Sequence, residues 1–229
     1  MLLRLFKSGQ PVMLIFIPVF AGLLWLKYFI LPHTVSMVFE PNPMPFYLWI
    51  SVLFENQLVL GKIVTLSLIV FSALWLSRMN TKFIILKQRS YLPAIIYILV
   101  LSSYLPLQQL NPAVFASIFL VLSIGIMYDT YKKEGLALEF FMAAFMVSIA
   151  SLFYAKAAFL MLVVWSGLFL LRTIYWREWV FTFLGFITPY IFLFSWYYLS
   201  GQDLAENWEM IRLNFMHDRG TGYLNNYYF

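Results

Sequence analysis

The chain has 229 residues, 63% of them hydrophobic, 21% aromatic and only 11% charged. A soluble domain is typically about 45–50% apolar and about 25% charged, so a water-soluble enzyme, a secreted disulfide module and a disordered tail are excluded. With no cysteine and two histidines, His33 and His217, the chain offers no disulfide framework, no thiolate metal site and no His-rich metal cluster. The net charge of +5 reports membrane orientation rather than nucleic-acid binding, because the basic residues stand between apolar runs.

Taken in chain order, MLLRLFKSGQ is short, basic and amphipathic and is expected on the cytoplasmic interface. The first apolar run is Pro11–Leu31, with Pro18 a kink inside it. No small-residue cleavage site ends this run, so it does not read as a cleavable signal peptide. The segment Pro32–Gln57 carries PNPMP and then PFYLWISVLFEN, which predicts a helix along the membrane surface. Leu58–Leu76 and Tyr91–Leu107 are the next two runs. Pro112–Tyr128 follows, with Asn111 placed to cap and Pro112 suited to the first helical turn. Phe140–Leu171 is too long for one crossing and is broken only at Tyr154-Ala155-Lys156, so it predicts a hairpin of two short helices. Trp179–Leu199 is the last run, with Pro189 in its middle.

These runs give an all-α, polytopic helical membrane protein with about seven transmembrane helices, each needing roughly 20 apolar residues. Lys and Arg set the orientation. With a cytoplasmic N-terminus, the inner segments hold Arg4, Lys7, Arg78, Lys82, Lys87, Arg89, Lys132, Lys133, Arg172 and Arg177. The outer ones hold only Lys27, Lys62, Lys156, Arg212 and Arg219. Trp25, Tyr28, Trp49, Trp176, Trp179, Trp196, Tyr197 and Tyr198 stand near span ends as an aromatic belt. The expectation is a multi-pass inner-membrane protein with one transmembrane domain, 1–200. An external polar and aromatic segment, 201–229, follows; it ends without a closing helix and is expected to begin a longer remainder.

Charges in or beside spans are expensive and call for a functional reading. Lys27, Lys62, Gln108, Gln109, Asn111 and Lys156 all fall at the predicted external surface. Cations and amides gathered in one cleft would hold a phosphate or pyrophosphate headgroup, and Glu40 would be the base. The alternative is plain: lysines at span ends snorkel to the interface and bind nothing, and Glu40 is an exposed loop carboxylate. No GxGxxG, Walker A, HExxH or GxSxG motif occurs, and no span interior carries Asp or Glu. No metal and no cofactor is therefore expected.

Two resemblances follow. MLLRLFKSGQP, LNPAVFASIFL at 110–120, SIASLFYAKAAFLMLVVWSGLFLLR at 148–172 and YWREWVFTFLGFITPYIFLFSWYYLSG at 175–201 resemble an uncharacterised family of Bacteroidetes inner-membrane proteins over nearly the whole chain. Members tend to carry proline where Lys156 stands. The second is looser. One span, an external loop with an acid and surface helices, and a short hairpin ending in Lys-Ala-Ala-Phe-Leu are similar to the membrane core of GT-C glycosyltransferases. That resemblance implies a polyprenyl-phosphate-linked sugar substrate at the external face, but the family's acid is typically an Asp, and the first external loop here has none.

Two functions remain. One is a non-catalytic envelope-assembly subunit or scaffold with a membrane-protein partner. The other is a GT-C-like enzyme with Glu40 as catalytic base and Lys27, Lys62, Gln108, Asn111 and Lys156 binding the lipid-linked substrate. Membrane lipids are partners in both, and nucleic acid in neither.

Overall fold

The computed structural model describes residues 13–30, 43–54, 57–84, 86, 90–130, 137–171 and 176–216. Regular structure among the described residues is helical, with no strand. The helices are α1 Met13–Ile30, α2 Pro45–Phe54, α3 Leu58–Phe83, α4 Leu92–Ser103, α5 Pro112–Asp129, α6 Ala137–Phe153, α7 Met161–Leu171, α8 Trp176–Leu199 and α9 Leu204–Met216. Short 3-10 turns at Leu105–Gln108 and Ala155–Leu160 precede α5 and α7.

Local sequence explains most boundaries. Asn111 Oδ1 accepts the Ala113 N–H at 2.9 Å and Pro112 opens α5, as a capping side chain and an N1 proline should. Tyr104 is extended where α4 stops, and Pro106 follows, unable to continue an α-helical hydrogen-bond ladder. Tyr154 is extended, so the long apolar stretch breaks at the predicted residues and re-forms as a 3-10 turn leading into α7. α3 runs seven residues beyond its predicted end at Leu76, carrying Arg78 and Lys82 on helix rather than loop.

Val59–Phe83, Pro112–Asp129 and Trp176–Leu199 are long and apolar enough to cross a membrane, at 25, 18 and 24 residues. At 1.5 Å per residue they reach roughly 38, 27 and 36 Å, against a hydrocarbon core of about 30 Å. These helices mark a membrane protein. The other runs read as spans form shorter apolar helices at Leu14–Ile30, Leu92–Ser103, Ala137–Phe153 and Ala155–Phe169.

α6 is the central helix, packed between α5 and α8. It presents small side chains: Ala143, Ala144, Ser148, Ala150 and Ser151 are all buried. In lipid no hydrophobic force drives helices together, so close approach and interhelical hydrogen bonds must do so. Ser123 Oγ on α5 donates to the Ala143 carbonyl at 2.8 Å. Ser148 Oγ donates to the Phe186 carbonyl on α8 at 2.6 Å. A Cβ at Gly185 on α8 would overlap the Phe141 carbonyl, so glycine is what lets α8 come this close.

The bundle has two distinct ends. At one, Lys62 at the start of α3 meets Tyr28 at the end of α1, and Tyr47 on α2 meets Leu110. At the other, Lys82 near the end of α3 pairs with Asp129 at the end of α5, and Asn80 Nδ2 donates to the Ser90 carbonyl before α4.

Candidate functional site

Of the polar residues singled out in the sequence, those that the structure describes lie at the Lys62 end. Here the loop 108–111 runs over the start of α3, and Leu110 lies 3.6 Å from where a Cβ on Gly61 would stand. Leu110 shares an apolar cluster with Tyr47, Phe115, Ala116, Ala150, Phe153 and Ala157. That cluster brings the loop beside the turn that carries Lys156. Tyr47 OH donates to the Leu110 carbonyl at 2.9 Å. α2 is therefore packed onto the bundle through its buried tyrosine, not merely laid on a membrane surface as its sequence predicts.

Each candidate among the described residues has a definite place. Lys62 Nζ lies 4.1 Å from the Tyr28 ring centre and donates to the Tyr28 carbonyl at 3.3 Å. A cation over an aromatic face is held by the ring quadrupole, so this ammonium ties α3 to α1. Gln108 Nε2 donates to the Ser102 carbonyl at 2.5 Å, while Ser102 Oγ accepts from Trp25 Nε1 at 2.9 Å. These bonds join the ends of α1 and α4 to the loop. Asn111 is the N-cap of α5. Lys156 is half-buried in its 3-10 turn and engaged within the chain. Lys27 is exposed, on the side of α1 away from buried Trp25 and Tyr28. Glu40 lies outside the described residues, as does His33.

Two further residues stand out. Gln109 is 4% exposed, and its Oε1 is buried without a hydrogen-bond partner among the described residues. An unsatisfied buried acceptor costs about 1–3 kcal/mol; the sequence places Gln109 beside Gln108 in the external loop. At the opposite end, Glu178 is also only 4% exposed, in the first turn of α8, where the helix dipole favours a carboxylate. The sequence reads Trp176-Arg177-Glu178-Trp179 as an anchor at the cytoplasmic membrane interface. The signal for its burial is its position immediately ahead of the long apolar run that starts at Trp179.

Among the described residues, no group of three or more His, Asp or Glu is placed to hold a metal ion. The described part of this end therefore offers cations and amides, most of them already bound to groups of the chain itself. No protein-family model, curated protein or solved structure matches the chain.

Proposed function

We propose that the chain is a multi-pass inner-membrane protein acting as a non-catalytic subunit or scaffold of the cell envelope. In this reading it crosses the bilayer about seven times, with a cytoplasmic N-terminus. Four shorter apolar helices join the three long ones as crossings, and local bilayer thinning covers the mismatch of fractions of a kcal/mol per Å. The side-chain links at each bundle end support the up-and-down order this requires. Arg78, Lys82 and Arg177 at the Lys82 end support a cytoplasmic placement of that end.

The observation that carries the non-catalytic reading is the engagement of the candidate binding residues. Lys62 is seated on Tyr28 and its carbonyl, Gln108 bonds the end of α4, and Asn111 caps α5. A headgroup would have to displace contacts that tie α3 to α1 and the loop to α4, or the cap of α5. For a membrane-protein partner, Phe159 in the 3-10 turn and Leu162 and Phe169 on α7 are exposed apolar side chains.

Mass spectrometry of lipids co-purified with the detergent-solubilised protein tests the reading, comparing wild type with Lys62→Ala. Bulk phospholipid in equal amounts is the expected result. A polyprenyl-phosphate species retained by wild type and lost in Lys62→Ala would overturn it in favour of the glycosyltransferase-like reading. Photo-crosslinkers placed at Phe159 and Phe169 in cells are expected to give a discrete protein adduct.

A further inference from the structure

α8 ends in a turn that its local sequence dictates. Gly201 has a φ of 68°, in the left-handed region that glycine enters without a Cβ penalty. Its N–H donates to the Tyr198 carbonyl at 3.2 Å, and the Gln202 N–H to the Tyr197 carbonyl at 3.1 Å. This double closure is a Schellman ending. Asp203 then caps α9, its Oδ1 accepting the Ala205 N–H at 2.8 Å. The apolar helix thus stops and a new one starts between Ser200 and Asp203.

α9 presents three faces at helical spacing. Ile211 and Asn214 are buried, and Ile211 shares a cluster with Met44, Leu152, Leu193 and Tyr197. Glu206, Glu209 and Arg212 are exposed on another face, with Arg212 Nη1 donating to Glu209 Oε2 at 3.4 Å. Between these faces runs a stripe of Leu204, Trp208 and Phe215, exposed by 39%, 55% and 38%.

Two observations say what covers the stripe. First, an open and almost wholly apolar groove runs along α8 from Ile187 through Ile191 and Tyr198 to Leu199 and reaches Leu204. The stripe therefore continues the exposed apolar surface of a membrane-crossing helix. Second, Trp208 packs on Phe194 with ring centres 6.1 Å apart. Phe194 stands five residues before the end of α8, about 7.5 Å down its axis at 1.5 Å per residue. Trp208 thus lies beside the last turns of α8 rather than beyond its end. The charged face lies next round the helix from the stripe, at 3.6 residues per turn, with Glu206 farthest from it and Leu213, 41% exposed, between Glu206 and Glu209.

We propose that α9 is an in-plane helix seated in the lipid surface at which α8 ends. Leu204, Trp208 and Phe215 insert at the boundary between headgroups and acyl chains, and Glu206, Glu209 and Arg212 stay in water. The inference rests on α8 crossing the membrane.

The chain contains no cysteine, so single-cysteine spin labels report without background. Leu204→Cys, Trp208→Cys, Phe215→Cys, Glu206→Cys and Glu209→Cys are reconstituted, as the full chain, in phosphatidylethanolamine–phosphatidylglycerol vesicles, with Ile191→Cys as the membrane control. The stripe labels are expected to be relaxed by oxygen and shielded from a water-soluble nickel chelate, with the Glu206 and Glu209 labels reversed. Leu204 and Phe215 keep the test open if Trp208→Cys impairs folding. Nickel access at all α9 positions, with Ile191 still oxygen-accessible, would overturn the interfacial helix alone. Nickel access at Ile191 as well would overturn the crossing of α8 too. Stripe labels shielded from both reagents would assign the stripe to a protein contact and overturn the proposal.

Discussion

Gly185 and Ser148 show how unequal two contacts across one helix interface can be. Both join α6 to α8, one by close approach to the Phe141 backbone and one by a bond to the Phe186 carbonyl. Overpacking costs about 1–3 kcal/mol, while a hydrogen bond between membrane helices averages about 0.6 kcal/mol. Gly185→Ala is therefore expected to lower the thermal midpoint in detergent distinctly more than Ser148→Ala; equal shifts would show that α8 can yield at this point. Lys62→Ala removes a half-buried cation–π contact of about 1 kcal/mol together with the bond to Tyr28. It should lower the midpoint, whereas exposed Lys27→Ala should leave it unchanged. The Asn111–Pro112 start of α5 is legible in the sequence because a cap and its helix are neighbours along the chain. The Lys62–Tyr28 contact is not, since it joins residues 34 apart that meet only when α1 docks on α3.

Helix ends are where local chemistry acts on whole elements. Gly201 has no heavy atom within 4 Å of an added Cβ, so Gly201→Ala acts through backbone conformation alone. A left-handed non-glycine residue costs roughly 1–2 kcal/mol, and destabilisation of that order is expected from unfolding measurements. Ile84 poses the reverse case. It holds a φ of 52° at the end of α3 with its side chain exposed, so Ile84→Gly should relieve strain. The gain should be under about 1 kcal/mol, because glycine also loosens the unfolded chain. A lowered midpoint for Ile84→Gly would mean that the isoleucine packs to more effect than its exposure indicates. The break at Tyr154 was legible from a tyrosine and a lysine interrupting an apolar run. The extension of α3 past Leu76 was not, because Arg78 and Lys82 read as loop charges. Lys82 is instead paired with Asp129 on the neighbouring helix.

At the scale of the molecule, the alternation of bundle ends makes a topology that labelling can check. An impermeant maleimide should reach a cysteine at Gln202 in intact spheroplasts, and one at Leu86 only after permeabilisation. Labelling of both from outside would reject the proposed arrangement of these two ends. That the chain is helical and made for a membrane is legible along it, since apolar content and run length are sums over neighbouring residues. The end of α4 near Pro106 and the Asn111–Pro112 start of α5 are likewise legible along the chain, since a proline and a capping asparagine act within one turn. The centring of α6, the docking of α2 through Tyr47 and the ties that Lys62 and Gln108 make between elements came only with helix packing. A polar side chain's role depends on which group it meets across the bundle, and that meeting is set by helix packing rather than by residue spacing.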